Sequence, residues 1–272
     1  MLEKFGSCYL DFRDSTTQTV HHPFLKHKTP IAFAHRGGAI DAPENTMPAF
    51  QHAIDLGYIY IETDVHVTRD GVLLAFHDDD LARTCGRPGL ISQLDYAEVS
   101  KARVNGLEPI PLLEDLITTW PHAHINIDCK SDNALAPLAL RIAKGDLFDR
   151  ICVGSFSDKR LNSLRDQFGE RLCTSMGPRD VTRLRLGSWV GRKGNFRHIH
   201  AAQVPVTQGP LTIVNESFVA AAHDQGLQVH VWTIDDPLEM TRLLNLGVDG
   251  IMTDKPKLLK NLLVERGAWH AN

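Results

Sequence analysis

The chain has 272 residues, 43% of them hydrophobic and 23% charged, which suffices to bury a large core in one α/β barrel or two small domains. A formal net charge of −4 with scattered Lys and Arg provides no broad cationic field, which argues against a nucleic-acid partner. Cys8, Cys85, Cys129, Cys152 and Cys173 show no CxxC pairing, the N-terminus has no signal-peptide core, and no stretch reaches the ~20 apolar residues of a membrane span, so a cytoplasmic location is expected.

In chain order, residues 1–29 read as a polar, His-containing extension ahead of a domain over 30–272. Eight short apolar, β-branched runs follow, at 31–35, 58–67, 123–129, 150–155, 171–175, 200–205, 228–233 and 250–253. Helical spacing falls between them at 48–56, 112–120, 134–143, 159–168, 216–225 and 237–246. This alternation is the signature of βα units, and eight of them predict a (β/α)8 TIM barrel. A doubly wound sheet is the rival, but no GxGxxG follows the first strand and no GxxxxGK[ST] occurs. The segment from about 66 to 111 is too long for a plain βα loop. Its alternating run at 71–76, behind Arg69-Asp70-Gly71, predicts a hairpin leaving strand two and a small inserted subdomain.

Chemistry-bearing residues cluster at predicted strand ends. Glu62 and Asp64, two apart on a strand, share a face, and His66 shares it if the strand continues. Two such anions either pair with cations of a surrounding helix or hold a hard divalent ion such as Mg²⁺ or Ca²⁺. Asp128 near the end of the next barrel strand can complete the oxygen set. Lys130 shares its face, as an ion-pair partner or as a positive charge for an anionic substrate. His35 and His77 each end an apolar run, so both can be delivered to the same rim as acid and base. Gly37 and Gly38 allow a sharp turn and a close approach to a ligand, or a tight turn alone. Arg36 can grip a phosphate or hold the carboxylates, Asn45 or, in preference, Thr46 caps the helix opening near Pro48, and Glu44 is left for the site.

These residues stand in a larger ordered pattern: HRGG at 35–38 with ENT at 44–46, ExD at 62–64, TxDG at 68–71, HD with LxRT within 77–84, IPLLED at 110–115, NIDCK at 126–130, VWTI at 231–234 and GIMTDKP at 250–256. From about residue 31 to 256 the chain resembles the glycerophosphodiester phosphodiesterases. The resemblance implies a barrel enzyme, with a small insertion after strand two, that cleaves glycerophosphodiesters to glycerol 3-phosphate and an alcohol with a divalent cation. It further implies His35 and His77 as the acid/base pair, Glu62, Asp64 and Asp128 as metal ligands, Arg36 and Lys130 as phosphate contacts, and Glu44 as a further polar residue of the site. Asp128 departs from the Glu often found there, being one methylene shorter. Trp232 resembles the family's pocket-lining aromatic, with barrel packing as the other reading, and Phe156 adds apolar wall. Cys129, on the face opposite Asp128, is expected in the core. The rival functions are lysophospholipase D-like cleavage of lysophospholipids, which a wide apolar rim would favour, and a barrel that binds ligand without turnover.

Overall fold

A computed structural model describes residues 22–28 and 30–270, so residues 1–21 and 29 of the expected extension, Cys8 among them, lie outside the described residues. The elements run β1 (Ile31–Ala34), α1 (Met47–Asp55), β2 (Tyr60–Val67), β3 (Leu73–Ala75), α2 (Ala82–Cys85), α3 (Tyr96–Val99), β4 (Arg103–Val104), β5 (Glu108–Pro109), α4 (Leu113–Thr119), β6 (His124–Cys129), α5 (Asp132–Ile142), β7 (Ile151–Gly154), α6 (Asp158–Phe168), β8 (Cys173–Thr174), α7 (Pro178–Val190), β9 (Ala201–Val204), β10 (Thr207–Gln208), β11 (Leu211–Thr212), α8 (Glu216–His223), β12 (Gln228–Val231), α9 (Pro237–Leu246), β13 (Gly250–Thr253) and α10 (Pro256–Glu265).

Eight parallel strands hydrogen-bond in the order β8-β7-β6-β2-β1-β13-β12-β9. The ring closes where the Met176 amide donates to Ala201 O at 2.8 Å and the His200 amide donates to Thr174 O at 3.0 Å. These are the eight strands expected from the apolar runs, and the fold is the (β/α)8 barrel. Strands buried on both faces read as continuous apolar runs. β2 is buried along its whole length, so Glu62 and Asp64 stand out against it as inward-facing charges.

Two apolar shells lie between strands and helices, one around Ile61, Ile125 and Ile151 and one around Val229, Ile251 and Phe218. Inside the barrel, Phe33, Tyr60, Met252, Cys152 and Cys173 pack against Phe24 and Leu25. Residues 22–28, grouped by sequence with the extension, thus form the barrel floor, and the Tyr60 hydroxyl donates to Phe24 O at 2.6 Å. Burying one Phe is worth roughly 2–3 kcal/mol, so this short segment is a substantial plug. Above the plug lies a polar layer, in which Gln203 Nε2 donates to Asn126 Oδ1 at 2.7 Å and sits 3.3 Å from His230 Nδ1. Gly250 makes room for it, since a Cβ there would lie 2.9 Å from His230 Cδ2.

Between β2 and α4 the chain builds the insertion. β3 pairs antiparallel with the end of β2, and Leu74, Phe76, Leu81, Ile91, Val99 and Ile110 give the insertion its own small core. Helix α7, to which periodicity assigns no helix, escapes detection because part of its apolar content faces outward: Leu186 and Val190 are 52% and 74% exposed.

Candidate active site

At the C-terminal mouth of the barrel, β1 ends at a turn over His35–Gly37 in which Arg36 is left-handed, with φ 52°. That conformation is uncommon for a residue with a side chain. Two bonds hold it: the Arg36 amide donates to Glu62 Oε2 at 3.0 Å, and Arg36 O accepts from the Asn45 amide at 2.9 Å. Gly37 and Gly38 have φ of 83° and 94°. A Cβ on Gly37 would lie 2.8 Å from the backbone of α1, and one on Gly38 would lie 2.7 Å from Pro256. The glycines therefore serve a tight turn packed on two helices; their close approach is to α1 and Pro256 rather than to ligand space. Thr46 caps α1, its hydroxyl accepting from the Ala49 amide at 3.4 Å.

The insertion supplies the second histidine. The Phe76 amide donates to Asp64 O at 2.9 Å, and His66 Nε2 lies 3.0 Å from His77 O, so β2 itself carries His77 to the rim. The two histidines are matched. His35 Nδ1 lies 2.7 Å from Asp254 Oδ1, and His77 Nδ1 lies 2.7 Å from Asp78 Oδ1. Because an ionised carboxylate only accepts, each Nδ1 carries the proton and each Nε2 is the unprotonated nitrogen of the neutral ring. His35 Nε2 is 3.8 Å from Glu62 Oε2. Burial alone would lower the His35 pKa, but the Glu62 charge and the Asp254 bond outweigh it and raise it.

The carboxylates come from paired strands, with Glu62 opposite Asn126 and Asp64 opposite Asp128 in the β2–β6 register. Lys130 Nζ bridges Asp64 Oδ1 at 2.9 Å and Asp128 Oδ2 at 2.8 Å. Arg36 Nε lies 3.1 Å from Asp64 Oδ2, and its NH1 donates to Glu44 Oε1 at 2.9 Å. The Arg36 guanidinium thus contacts two carboxylates while lining the cavity. Asn45 Nδ2 also donates to Asp64 Oδ2, at 3.0 Å. Burial opposes ionisation of Asp64, yet Lys130 and Arg36 pull its pKa below the usual range. Glu62 goes the other way: burial first, then the Asp64 charge, push it up to about 7. Glu44 is held low against burial by Arg83 and Arg36, and Arg83 also grips Asp78 with Nε at 2.6 Å from Oδ2.

Among the described residues no three His, Cys, Asp or Glu side chains converge as a ready metal cage. The donor chemistry nonetheless fits a hard divalent cation. Asp128 Oδ1 is buried with no hydrogen-bond partner, and Glu62, Asp64 and Asp128 offer oxygen donors of the kind such an ion takes.

The ten residues that the sequence offers for catalysis, substrate or metal, His35, His77, Arg36, Lys130, Glu44, Trp232, Phe156, Glu62, Asp64 and Asp128, gather at this mouth. Eight line a cavity of about 540 Å³ together with Phe156, and Glu44 stands behind Arg36. The Phe156 and Trp232 rings meet edge to face, centroids 5.7 Å apart. Cys129 is fully buried, as expected. Sequence reasoning assigns no role to Asp254, Asp78 or Arg83 and offers Asn45 only as a helix cap, although Asp254, Asp78, Arg83 and Asn45 sit inside GIMTDKP, HD, LxRT and ENT.

The cavity is polar on one side and apolar on the other, where Met176, Val181, Leu186, Trp189 and Ile213 form the wall. Arg185 fastens that wall: its Nε donates to Thr212 O at 3.0 Å and its guanidinium stacks 4.4 Å from the Trp189 centroid.

The model of the glycerophosphoryl diester phosphodiesterase family matches residues 35–258. A Mycobacterium tuberculosis protein named "Probable glycerophosphodiester phosphodiesterase 2" is 39% identical over 251 residues, covering 90% of this chain and 95% of that protein. A glycerophosphodiester phosphodiesterase of Bacillus altitudinis is 31% identical over 242 residues, covering 82% of this chain and 94% of that protein. The fold also superposes, with a TM-score of 0.71 at 22% identity, on an Oleispira antarctica phosphodiesterase solved with the product sn-glycerol-3-phosphate, covering 87% of this chain and 97% of that one. With the match beginning at His35 and running past Asp254, the chain belongs to the glycerophosphoryl diester phosphodiesterase family.

Proposed function

We propose that the chain hydrolyses glycerophosphodiesters to glycerol 3-phosphate and an alcohol, with His35 and His77 as the acid/base pair. One observation carries this reading: two histidines on one cavity, each with Nδ1 on a carboxylate at 2.7 Å and Nε2 left for proton transfer. Glycerol presents a hydroxyl next to the esterified oxygen. Tethered attack by that hydroxyl gains an effective concentration of order 10⁵ M or more, an advantage that water lacks. One histidine takes the hydroxyl proton as the new P–O bond forms, and the other protonates the departing alcohol as the old P–O bond breaks. The resulting cyclic glycerol phosphate is then opened by water with the two roles reversed.

Glu62, Asp64 and Asp128 would hold the divalent cation, Mg²⁺ or Ca²⁺, which when bound polarises the phosphodiester oxygens. Arg36 and Lys130 add positive charge where negative charge develops on the phosphoryl group, and Glu44 fixes the Arg36 guanidinium. The four described cysteines are free thiols, which supports a cytoplasmic setting. No described helix is long and apolar enough to cross a membrane.

The apolar flank of the cavity favours a second substrate class, glycerophosphodiesters with one hydrocarbon chain, cleaved as by a lysophospholipase D. Assay of the purified protein against a panel of glycerophosphodiesters and lysophospholipids, with each divalent ion in turn, tests both. Turnover of the chain-free diesters supports the main reading. Tight binding without turnover of any member would instead make the protein a ligand-binding barrel.

A further inference from the structure

Helix α7 and the turn after it form one lip of the cavity. Leu186 and Trp189 line the cavity wall and are 52% and 56% exposed, so the apolar wall reaches the outer surface at these two residues. Arg179, Arg183, Leu186 and Val190 fall at i, i+4, i+7 and i+11 and share one exposed stripe of the helix, whose other side buries Leu184 and Asp180. Leu211, on the β10–β11 hairpin that also lines the cavity, adds a further exposed apolar residue to the rim. Charge follows the same surface. Residues 178–197 carry five exposed basic side chains, besides the buried Arg185, and one acidic, in a chain whose net charge is −4. Asp180, the acidic one, is already paired with Arg165 at 3.3 Å and Arg183 at 3.7 Å, whereas Arg192, Lys193 and Arg197 are exposed beyond the helix.

We propose that α7 and the turn that follows it seat the protein on an anionic lipid surface, with Leu186, Trp189 and Val190 entering the interface and Arg179, Arg183, Arg192 and Lys193 meeting the headgroups. A short helix with Leu and Trp between cationic residues is the composition of an interfacial, non-spanning contact. The basic residues select the occupant, because each Lys or Arg near an anionic bilayer adds attraction that salt screens. A second copy of the chain fits less well. A two-fold contact would set the same cationic stripe against itself. The hydrogen bond from Arg185 to Thr212 O and its stacking on Trp189 keep the lip in place, so docking turns the cavity mouth toward the lipid. The proposal concerns attachment, and it stands or falls separately from what the site hydrolyses.

The test is co-sedimentation of the full-length protein with vesicles of phosphatidylcholine alone or with roughly one-third phosphatidylglycerol. Turnover of glycerophosphocholine in vesicle-free solution is measured alongside. We expect binding to the anionic vesicles only, lost on raising salt from about 0.1 M to about 0.5 M. Val190→Asp, and separately Arg192→Glu with Lys193→Glu, should each weaken that binding about tenfold or more while leaving solution turnover unchanged. Absence of binding to anionic vesicles by folded protein, or binding that survives both variants, overturns the proposal. A concentration-dependent dimer that the same variants dissociate assigns the lip to self-association and overturns it equally.

Discussion

His35 Nδ1 and Asp254 Oδ1 meet at 2.7 Å although 219 positions separate them in the chain. The contact exists because β1 and β13 are neighbours in the barrel, with Ala34 opposite Thr253 in their register. The carboxylate favours the tautomer with the proton on Nδ1 of His35; on the proposed reading, in which His35 Nε2 transfers protons, Asp254 is a positioning residue. Asp254→Asn should lower kcat by roughly 10²-fold, with KM changed far less, because an amide no longer dictates which nitrogen carries the proton. Steady-state kinetics on glycerophosphocholine, with circular dichroism to confirm folding, check this. A fall in kcat/KM through a higher KM alone, with kcat unchanged, would assign Asp254 to substrate binding.

His35→Ala and His77→Ala should each slow turnover by roughly 10²–10⁴-fold, the usual worth of a positioned acid or base. His52→Ala and His223→Ala, on α1 and α8 away from the cavity, should change it little. Near-normal rates for either of the first pair would remove that histidine from the relay.

Activity should vanish in chelator and return with Mg²⁺ or Ca²⁺, since clustered carboxylates bind hard cations and repel one another without neutralisation. Glu62→Gln and Asp64→Asn should abolish the response to added ion while the barrel stays folded. Isothermal titration with the ion alone, compared with melting temperature, separates loss of the site from loss of the fold.

Stability should fall in mild acid through buried histidines. His230 is fully buried and neutral, its pKa pushed down to about 4 by burial. Its unfolded value is about 6.5, so the unfolded chain binds the extra proton first as pH drops. Its contribution is intact above pH ~6.5 and is lost between ~6.5 and ~4, by up to about 3 kcal/mol. His124 and His200, also pushed down to about 4 by burial, add to the same window. Urea unfolding across this range should show a shallower loss for His230→Gln than for the wild type; parallel curves would contradict the assignment.

The barrel was legible because eight strands buried on both faces announce themselves as apolar runs, and the inward carboxylates because Glu62 and Asp64 interrupt one of them. What stayed hidden depends on tertiary closure. Asp254 earns its role only when β13 pairs with β1, and Arg83 only when the insertion folds back to put it on Glu44, 39 positions away. Asn45 reads as an alternative helix cap until its left-handed backbone turns its side chain onto Asp64. Helix α7 misleads for the opposite reason: its outward Leu186 and Val190 break the buried-stripe pattern by which helices are found.

The most direct test follows glycerophosphocholine and its analogue lacking the vicinal glycerol hydroxyl by ³¹P NMR, with the purified protein and Mg²⁺. Conversion of the parent to glycerol 3-phosphate and choline, with the deoxy analogue bound as an inhibitor and turned over very slowly, is the result predicted by two histidines working on a tethered hydroxyl. Release of phosphocholine, or hydrolysis of the analogue at the parent's rate, would contradict it.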